Sequence, residues 1–250
     1  MTKKEFRAEK ELKYYGVHAC LMLAEKRAAD IVRVYIDESN VKRFSALLKW
    51  CAKNKKAYHI IPSADLNKVS ESIHHEGVCI LAKELPVISE TAFLASVNQL
   101  PKNVCLLYLD QVGNPHNVGS ILRTAAHFGI PYIIGEDLPA LSPSACRIAK
   151  GAAELVRIVH LEKGLKTFQT LQKAGFQLIS TSSHEGKSLY QFPFPVRTIL
   201  AIGSESRGVS DVVLKSAAAS IQIPGTGAME SLNVSVATAL CVGEYYRQHA

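Results

Sequence analysis

Ser231, Asn233 and Ser235 stand in the stretch Ile223-Pro-Gly-Thr-Gly-Ala-Met-Glu-Ser-Leu-Asn-Val-Ser-Val-Ala237, which starts as a strand, breaks into a Gly-rich loop and enters an apolar helix. A core helix carries aliphatic side chains at such positions, and a buried polar group without a partner costs free energy. These two hydroxyls and one amide are therefore expected to need partners, and a ligand is one candidate.

Three loops share one placement. Asn114–Asn117, Gly203–Gly208 and Pro224–Glu230 each follow an apolar strand-like run and are rich in Gly or Pro. In open α/β sheets ligands bind outside the carboxyl ends of the strands, and glycine lets backbone come close to them. Thr181-Ser182-Ser183 forms a further candidate wall. Gly203-Ser-Glu-Ser-Arg-Gly208 puts Glu205 where a dinucleotide fold wants glycine, and a carboxylate there repels a pyrophosphate. G-x-x-x-x-G-K-[ST] is missing as well, so a P-loop is not expected. A nicotinamide-type oxidoreductase fails on the same residues. As a plain strand-to-helix turn capped by serine, the Glu205 loop remains open at this point.

Arg123 follows Asn117 by six residues on a predicted helix and is flanked by Ile121-Leu122 and Thr124-Ala-Ala. Its surroundings are thus expected to be partly buried. A cation there suits a phosphate together with free helix amides. His116 has the chemistry of a general base, but shaping the loop beside Pro115 is the favoured role. His74 and His75 read as a turn, with no further metal ligands.

The elements that must position these residues alternate. Residues 3–13 mix Lys/Arg with Glu and predict a solvated helical arm. Helices are expected over 19–28, 41–53 and 65–72, and strands over 31–36, 57–61 and 78–82, a small α/β layer domain. Residues 84–102 hold Pro86 and Pro101 and read as a linker with at most one short helix. Val104–Leu109 is a continuous apolar run suited to a buried parallel strand. Further strands are expected over 132–134, 155–159, 176–180, 198–202 and 221–223, with helices over 117–128, 161–174 and 232–247.

The chain of 250 residues is 48% hydrophobic and 20% charged, which excludes a disordered polymer. Its net charge of +7 points to polyanionic partners. The excess is N-terminal, with 17 Lys and Arg against 12 Asp and Glu over residues 1–103. Cys20, Cys51, Cys79, Cys105, Cys146 and Cys241 lack C-x-x-C spacing and read as buried reduced thiols rather than zinc ligands or disulfides. No secretory leader and no spanning apolar run is apparent, so a cytoplasmic protein is expected. The last helix is apolar nearly all round, so one face is expected on the sheet and the other on a second subunit.

Asn114-Pro-His-Asn-Val-Gly-Ser-Ile-Leu-Arg-Thr-Ala125, Leu200-Ala-Ile-Gly-Ser-Glu-Ser-Arg-Gly208 and the stretch from Ile223 to Ala237 resemble, in order and spacing, the three motifs of the SpoU/TrmH family of RNA ribose 2′-O-methyltransferases, within the SPOUT superfamily. The resemblance spans about residues 104–248. Tyr15-Gly-Val-His-Ala19 and His75-Glu-Gly77 resemble the ends of the L30e-like substrate-binding domain of many members.

This resemblance implies an α/β chain with a trefoil-knotted C-terminal methyltransferase domain over 103–250. Its mostly parallel sheet would be preceded by an arm (1–13), an L30e-like RNA-binding domain (14–85) and a linker (86–102). It implies an S-adenosylmethionine cofactor held around Thr181, Ile202, Gly203, Ile223 and Leu232, and no metal. It implies a catalytic set of Asn117, Arg123, Glu205, Ser231 and Asn233, with rRNA or tRNA as substrate and a homodimer through the last helix. Lys42, Arg43, Lys49, Lys53, Lys55 and Lys56 lie in the L30e-like part without an intervening acid. A basic run is commonly a solvated helix face, but its place in that domain favours RNA. Without an aromatic ladder, binding would rest on phosphates and shape. An RNA-binding protein that keeps the fold without turnover is the alternative, and the intact Arg123, Glu205 and Asn233 argue against it.

Overall fold

The computed structural model describes residues 10–250. The helical reading of the arm lies for its greater part, residues 3–9, outside the described residues. Two compact units divide the chain, one of residues up to Pro86 together with Ser142–Glu154, the other of Val87–Leu141 and Leu155–Ala250.

The first unit is built on strands β1 (Glu11–Tyr15), β2 (Ile31–Ile36), β3 (Ala57–Ile60) and β4 (Val78–Lys83), in sheet order β1-β4-β2-β3. Helices α1 (Val17–Arg27), α2 (Ser45–Lys53) and α3 (Ser63–Ser70) connect them. Residues 11–13, expected to be helical, are instead extended. β1 runs antiparallel to β4 with Glu11 opposite Lys83, Lys10 meets Glu84 at 2.8 Å, and Lys13 meets Glu71 at 2.6 Å. Alternating charges suit a strand whose buried end, Tyr14 and Tyr15, anchors it in the core. Tertiary pairing here overrides a local preference for helix.

The helix expected from Val41 begins only at Ser45. Before it the chain makes a 3₁₀ turn, Glu38–Asn40, in which the Asp37 carboxylate accepts from the Asn40 amide. Lys42 and Arg43 therefore sit in an irregular segment rather than on α2.

In the second unit, strands β5 (Ile88–Ser89), β6 (Val104–Asp110), β7 (Tyr132–Gly135), β8 (Arg157–His160), β9 (Gln177–Ser182), β10 (Lys187–Ser188), β11 (Arg197–Gly203) and β12 (Ala219–Gln222) form one sheet. Its order is β10-β12-β9-β11-β6-β7-β8-β5, and its pairings are parallel. The helices along the chain are α4 (Glu90–Ser96), α5 (Pro115–His127), α6 (Pro143–Ile148), α7 (Gly164–Lys173), α8 (Asp211–Ser216) and α9 (Val234–His249). Every residue of β6 is buried, as its continuous apolar run predicts.

Residues 87–102, read from sequence as a linker, carry β5 at the sheet edge and α4, whose Phe93 is fully buried in the main core. Ser89 caps α4 by accepting from the Ala92 amide.

α6 belongs to the first unit, although it lies within the span read as the second domain. It packs against β1 and α1. Beyond it Glu154 forms a two-pronged pair with Arg27, Nε to Oε2 at 2.6 Å and Nη2 to Oε1 at 3.2 Å. At Gly151, φ is 91° and a Cβ would fall 2.3 Å from Met22 Cγ, so only glycine lets this loop lie against α1. All six cysteines are buried and free, and burial pushes the Cys79, Cys146 and Cys241 thiols up to about 12.

Candidate active site

Four neighbouring strands, β12, β9, β11 and β6, end on one edge of the sheet and carry the loops singled out from sequence. From β6 the chain proceeds to β7 on one side. On the other side of β6 lies β11, which the chain reaches only after β9 and the short β10. Such a reversal opens a crevice at the carboxyl ends of the strands.

Asn114 caps α5 through its side chain, which accepts from the His116 amide at 2.9 Å, and Pro115 occupies the first turn. His116 enters this cap through its backbone amide, and its ring is exposed. The first turn of the capped helix holds Asn117, which is 8% exposed. The loop after β11 folds back through a bridge between Ser204 and Gly208. A Cβ on Gly203 would lie 2.0 Å from the Gly208 carbonyl carbon, so glycine is needed for this closure.

Asp110, at the end of β6, anchors the same loop. This residue is 6% exposed, and its carboxylate accepts from the Ser210 amide at 2.7 Å. Sequence reading did not single out Asp110, although an acid ending an otherwise apolar strand is a signal for such a role.

Asn233 joins three segments. Its Nδ2 donates to Asn117 Oδ1 at 3.1 Å and to Glu205 Oε1 at 2.7 Å. Its Oδ1 caps α9, accepting from the Ser235 amide at 3.0 Å and from Ser235 Oγ at 2.6 Å. The amide orientation is set by chemistry, since an ionised carboxylate only accepts and a backbone N–H only donates. Ser235 thus finds its partner in the cap that precedes it.

The burial expected of Ser231 and Asn233 is not observed. α9 begins at Val234, and residues 224–233 form an exposed loop. Gly225 and Gly227 keep this segment out of the helix, so the polar residues need water or a ligand, not core partners. Ser231 makes no hydrogen bond among the described residues. Arg123 is also exposed, not partly buried. At 100° per residue it lies about 120° around α5 from Asn117, and its guanidinium has no protein partner among the described residues. Asn117, Glu205 and Asn233 are therefore brought together, while Arg123 and Ser231 stand outside their hydrogen bonds.

Of the residues expected around a cofactor, Thr181 donates its hydroxyl to the Ala201 carbonyl at 3.0 Å, tying β9 to β11. Ile202 is buried, whereas Leu232 is 47% exposed. Gly203 ends β11 and Ile223 directly follows β12. The Ser204 hydroxyl is buried without a partner. Around these residues the edge offers backbone groups, hydroxyls and uncovered apolar surface, a set that fits a nucleoside such as that of S-adenosylmethionine, with the Glu205 carboxylate nearby in the loop after β11. Among the described residues no cluster of three His, Cys, Asp or Glu could hold a metal, and no helix is long and apolar enough to cross a membrane.

The second unit has a parallel α/β fold whose candidate site lies at the carboxyl ends of its strands. Residues 104–243 match the SpoU rRNA methylase family, and residues 14–87 match the RNA 2′-O ribose methyltransferase substrate-binding family. The chain belongs to the SpoU rRNA methylase family. It is 36% identical over 244 residues to the uncharacterised tRNA/rRNA methyltransferase YfiF of Escherichia coli O157:H7, covering 97% of this chain and 70% of that one. It is 28% identical to the 23S rRNA (guanosine-2′-O-)-methyltransferase RlmB of Coxiella burnetii, covering 94% of each. In fold it is like the SpoU methyltransferase AviRb of Streptomyces viridochromogenes, solved in complex with AdoMet. That likeness has a TM-score of 0.75 at 19% identity and covers 95% of this chain and 90% of that one.

Proposed function

We propose that this chain methylates a ribose 2′-hydroxyl in structured RNA, ribosomal RNA being the favoured substrate, with S-adenosylmethionine as donor. The observation that carries the proposal is the Asn233 amide, which locks Asn117 and Glu205 together at the edge where four parallel strands end. Thr181, Ile202, Gly203, Ile223 and Leu232 would hold the cofactor, through backbone groups and apolar contact with the adenine. When bound, S-adenosylmethionine supplies an electrophilic methyl group on a sulfonium.

The chain's own task is to present the hydroxyl and handle its proton. The O–H proton must leave the 2′-oxygen, to an RNA phosphate oxygen or to water, as that oxygen would take the methyl group and the methyl–sulfur bond would break to leave a neutral thioether. Arg123 cannot take that proton, because guanidinium remains protonated. Its lack of a protein partner leaves its donors free to orient the phosphate and stabilise charge developing on the oxygen. Asn117, Glu205 and Asn233 fix the loops, and Ser231 adds an exposed hydroxyl beside them. Lys42, Arg43, Lys49, Lys53, Lys55 and Lys56 would attract the RNA backbone, with Lys56 also donating to the Ala29 carbonyl at 3.3 Å. The trefoil knot, a cytoplasmic site of action and the domain limits implied by the resemblance belong to the same reading.

Nucleoside mass spectrometry of 23S rRNA incubated with the protein and S-adenosylmethionine should detect a new 2′-O-methyl nucleoside. Arg123→Ala should slow its formation by about 10²–10³-fold while calorimetric cofactor binding is unchanged. A wild-type rate in that variant would refute the role of Arg123. Bound cofactor without methyl transfer by the unaltered protein would favour a non-enzymatic RNA binder.

The proposal includes a homodimer through α9. This helix buries Val234, Thr238, Cys241, Val242 and Tyr245 but leaves Val236 48% and Leu240 37% exposed, one turn apart. Leu240→Glu is expected to convert a dimer to a monomer in sedimentation equilibrium. An unaltered protein that is monomeric at micromolar concentration would rule the dimer out.

A further inference from the structure

We propose that the first unit holds a discrete phosphate-binding cavity for the RNA backbone, completed by Lys150, a cation that lies outside the basic run read from the sequence. The inference rests on the RNA reading above and deepens it. A cavity of about 780 Å³ is lined by His18, Ser39, Lys42, Arg43, Glu76 and Lys150, among others. That volume falls within the range of ligand sites, about 300–1,000 Å³.

Three segments far apart in sequence line the cavity, and two of them deliver its cations. Lys42 and Arg43 come from the irregular turn before α2, and His18 from the first turn of α1. Lys150 comes from the loop after α6. That loop is closely fixed, because Gly151 lies against Met22 and Lys150 itself has φ 50°, a left-handed conformation that disfavours a non-glycine residue. Such strain persists where the surroundings over-determine it, and it clusters at functional sites.

Charge makes the cavity a site for a polyanion. Lys42, Arg43 and Lys150 are exposed, and none of their side chains makes a hydrogen bond or ion pair among the described residues. Glu76 is the one carboxylate among the lining residues, and its Oε2 already accepts from the Val17 amide at 2.9 Å. The Asn40 amide is likewise engaged, by Asp37 and the Glu76 carbonyl. Three cations against one carboxylate leave the concavity net positive, and phosphates entering between the cations relieve their mutual repulsion while releasing counterions. Lys49 and Lys53 sit on the outer face of α2, exposed and outside this lining.

The test measures filter binding of in vitro transcribed 23S rRNA across salt concentrations. Lys150→Ala should weaken binding about fivefold to tenfold at 0.1 M salt and lower the log–log salt slope by about one. Lys150→Arg should restore both, and Lys49→Ala with Lys53→Ala together should cost less than Lys150→Ala alone. Unchanged affinity and slope in Lys150→Ala would overturn the proposal, as would a larger loss in the Lys49/Lys53 pair. Thermal melts and calorimetric binding of S-adenosylmethionine, expected to match the unaltered protein, show that the variants fold. No RNA binding by the unaltered protein would sink the RNA reading, and this cavity with it.

Discussion

Asn233→Asp is expected to reduce methyl transfer by at least about 100-fold while leaving α9 capped. Asparagine and aspartate have nearly the same shape, and both accept from the Ser235 amide, so the cap survives. The change falls on the other side of the group. Asn233 Nδ2 now donates to Glu205 at 2.7 Å, and the substitution places a second carboxylate oxygen there. Two carboxylates at that separation cannot both remain ionised without cost, so one must take up a proton or the loop after β11 must swing away. Either outcome also deprives Asn117 Oδ1 of its donor. A shift of about 1 Å in a reacting geometry can by itself cost about 100-fold in rate.

The variant should respond to pH in a particular direction. Repulsion between the introduced carboxyl and Glu205 raises the pKa of the pair above the ordinary carboxylate value, so a proton shared between them re-forms the bridge as pH falls. Activity relative to the unaltered protein should therefore recover on acidification. Initial rates and thermal melts across the range from mildly acidic to mildly alkaline pH would show this. An Asn233→Asp enzyme as fast as the unaltered one on the alkaline side would remove the bridge from the mechanism.

Arg27→Ala should destabilise the first unit by about 3–5 kcal/mol. Arg27 and Glu154 are 11% and 3% exposed in their side chains, and their pairing joins α1 to the segment after α6. Arg27 also donates to the Lys83 carbonyl at 2.7 Å and lies over the Tyr14 ring at 5.0 Å. Removing the guanidinium leaves a buried carboxylate uncompensated.

Burial already pushes the Glu154 carboxyl up, against the pull of Arg27. Without that pull its folded-state pKa rises further above the unfolded value. Between the two values the folded variant binds more protons than the unfolded chain, so its stability falls as pH rises. The stability gap between the two proteins should accordingly be widest near neutrality and narrow toward the ordinary carboxylate range. Denaturant titrations at several pH values measure the gap, and a cost below about 1 kcal/mol at neutral pH would contradict the assignment. Replacing both partners, Arg27→Met with Glu154→Leu, should recover much of the loss, since apolar pairs of similar volume often match a buried ion pair.

How much was legible in the sequence differs from element to element. Val104–Leu109 was readable because a strand buried on both faces needs a continuous apolar run. The helix expected from Asn117 begins two residues earlier, at Pro115, because the Asn114 side chain caps it by accepting from the His116 amide. Residues 11–13 were not readable as strand, because the cause of their conformation is β4, some seventy residues away. Ser231 and Asn233 are exposed, against the burial their sequence setting predicts, for a related reason. The apolar residues after them suggested a helix in the core, but the glycines before them hold the chain in an exposed loop until Val234.

By itself the sequence determined that Asn117, Arg123, Glu205 and Asn233 stand in ordered motifs, that the cysteines are reduced, and that apolar strands bring those motifs to one edge. Only the tertiary structure decided that one asparagine amide would bridge Asn117 and Glu205, that Asp110 would pin the loop after β11, and that residues 142–154 would join the first unit with Lys150 at its cavity. The division has a physical cause. Periodicity and capping are written in neighbouring residues, whereas a hydrogen bond between positions 117 and 233 depends on parallel strands that pair out of sequence order.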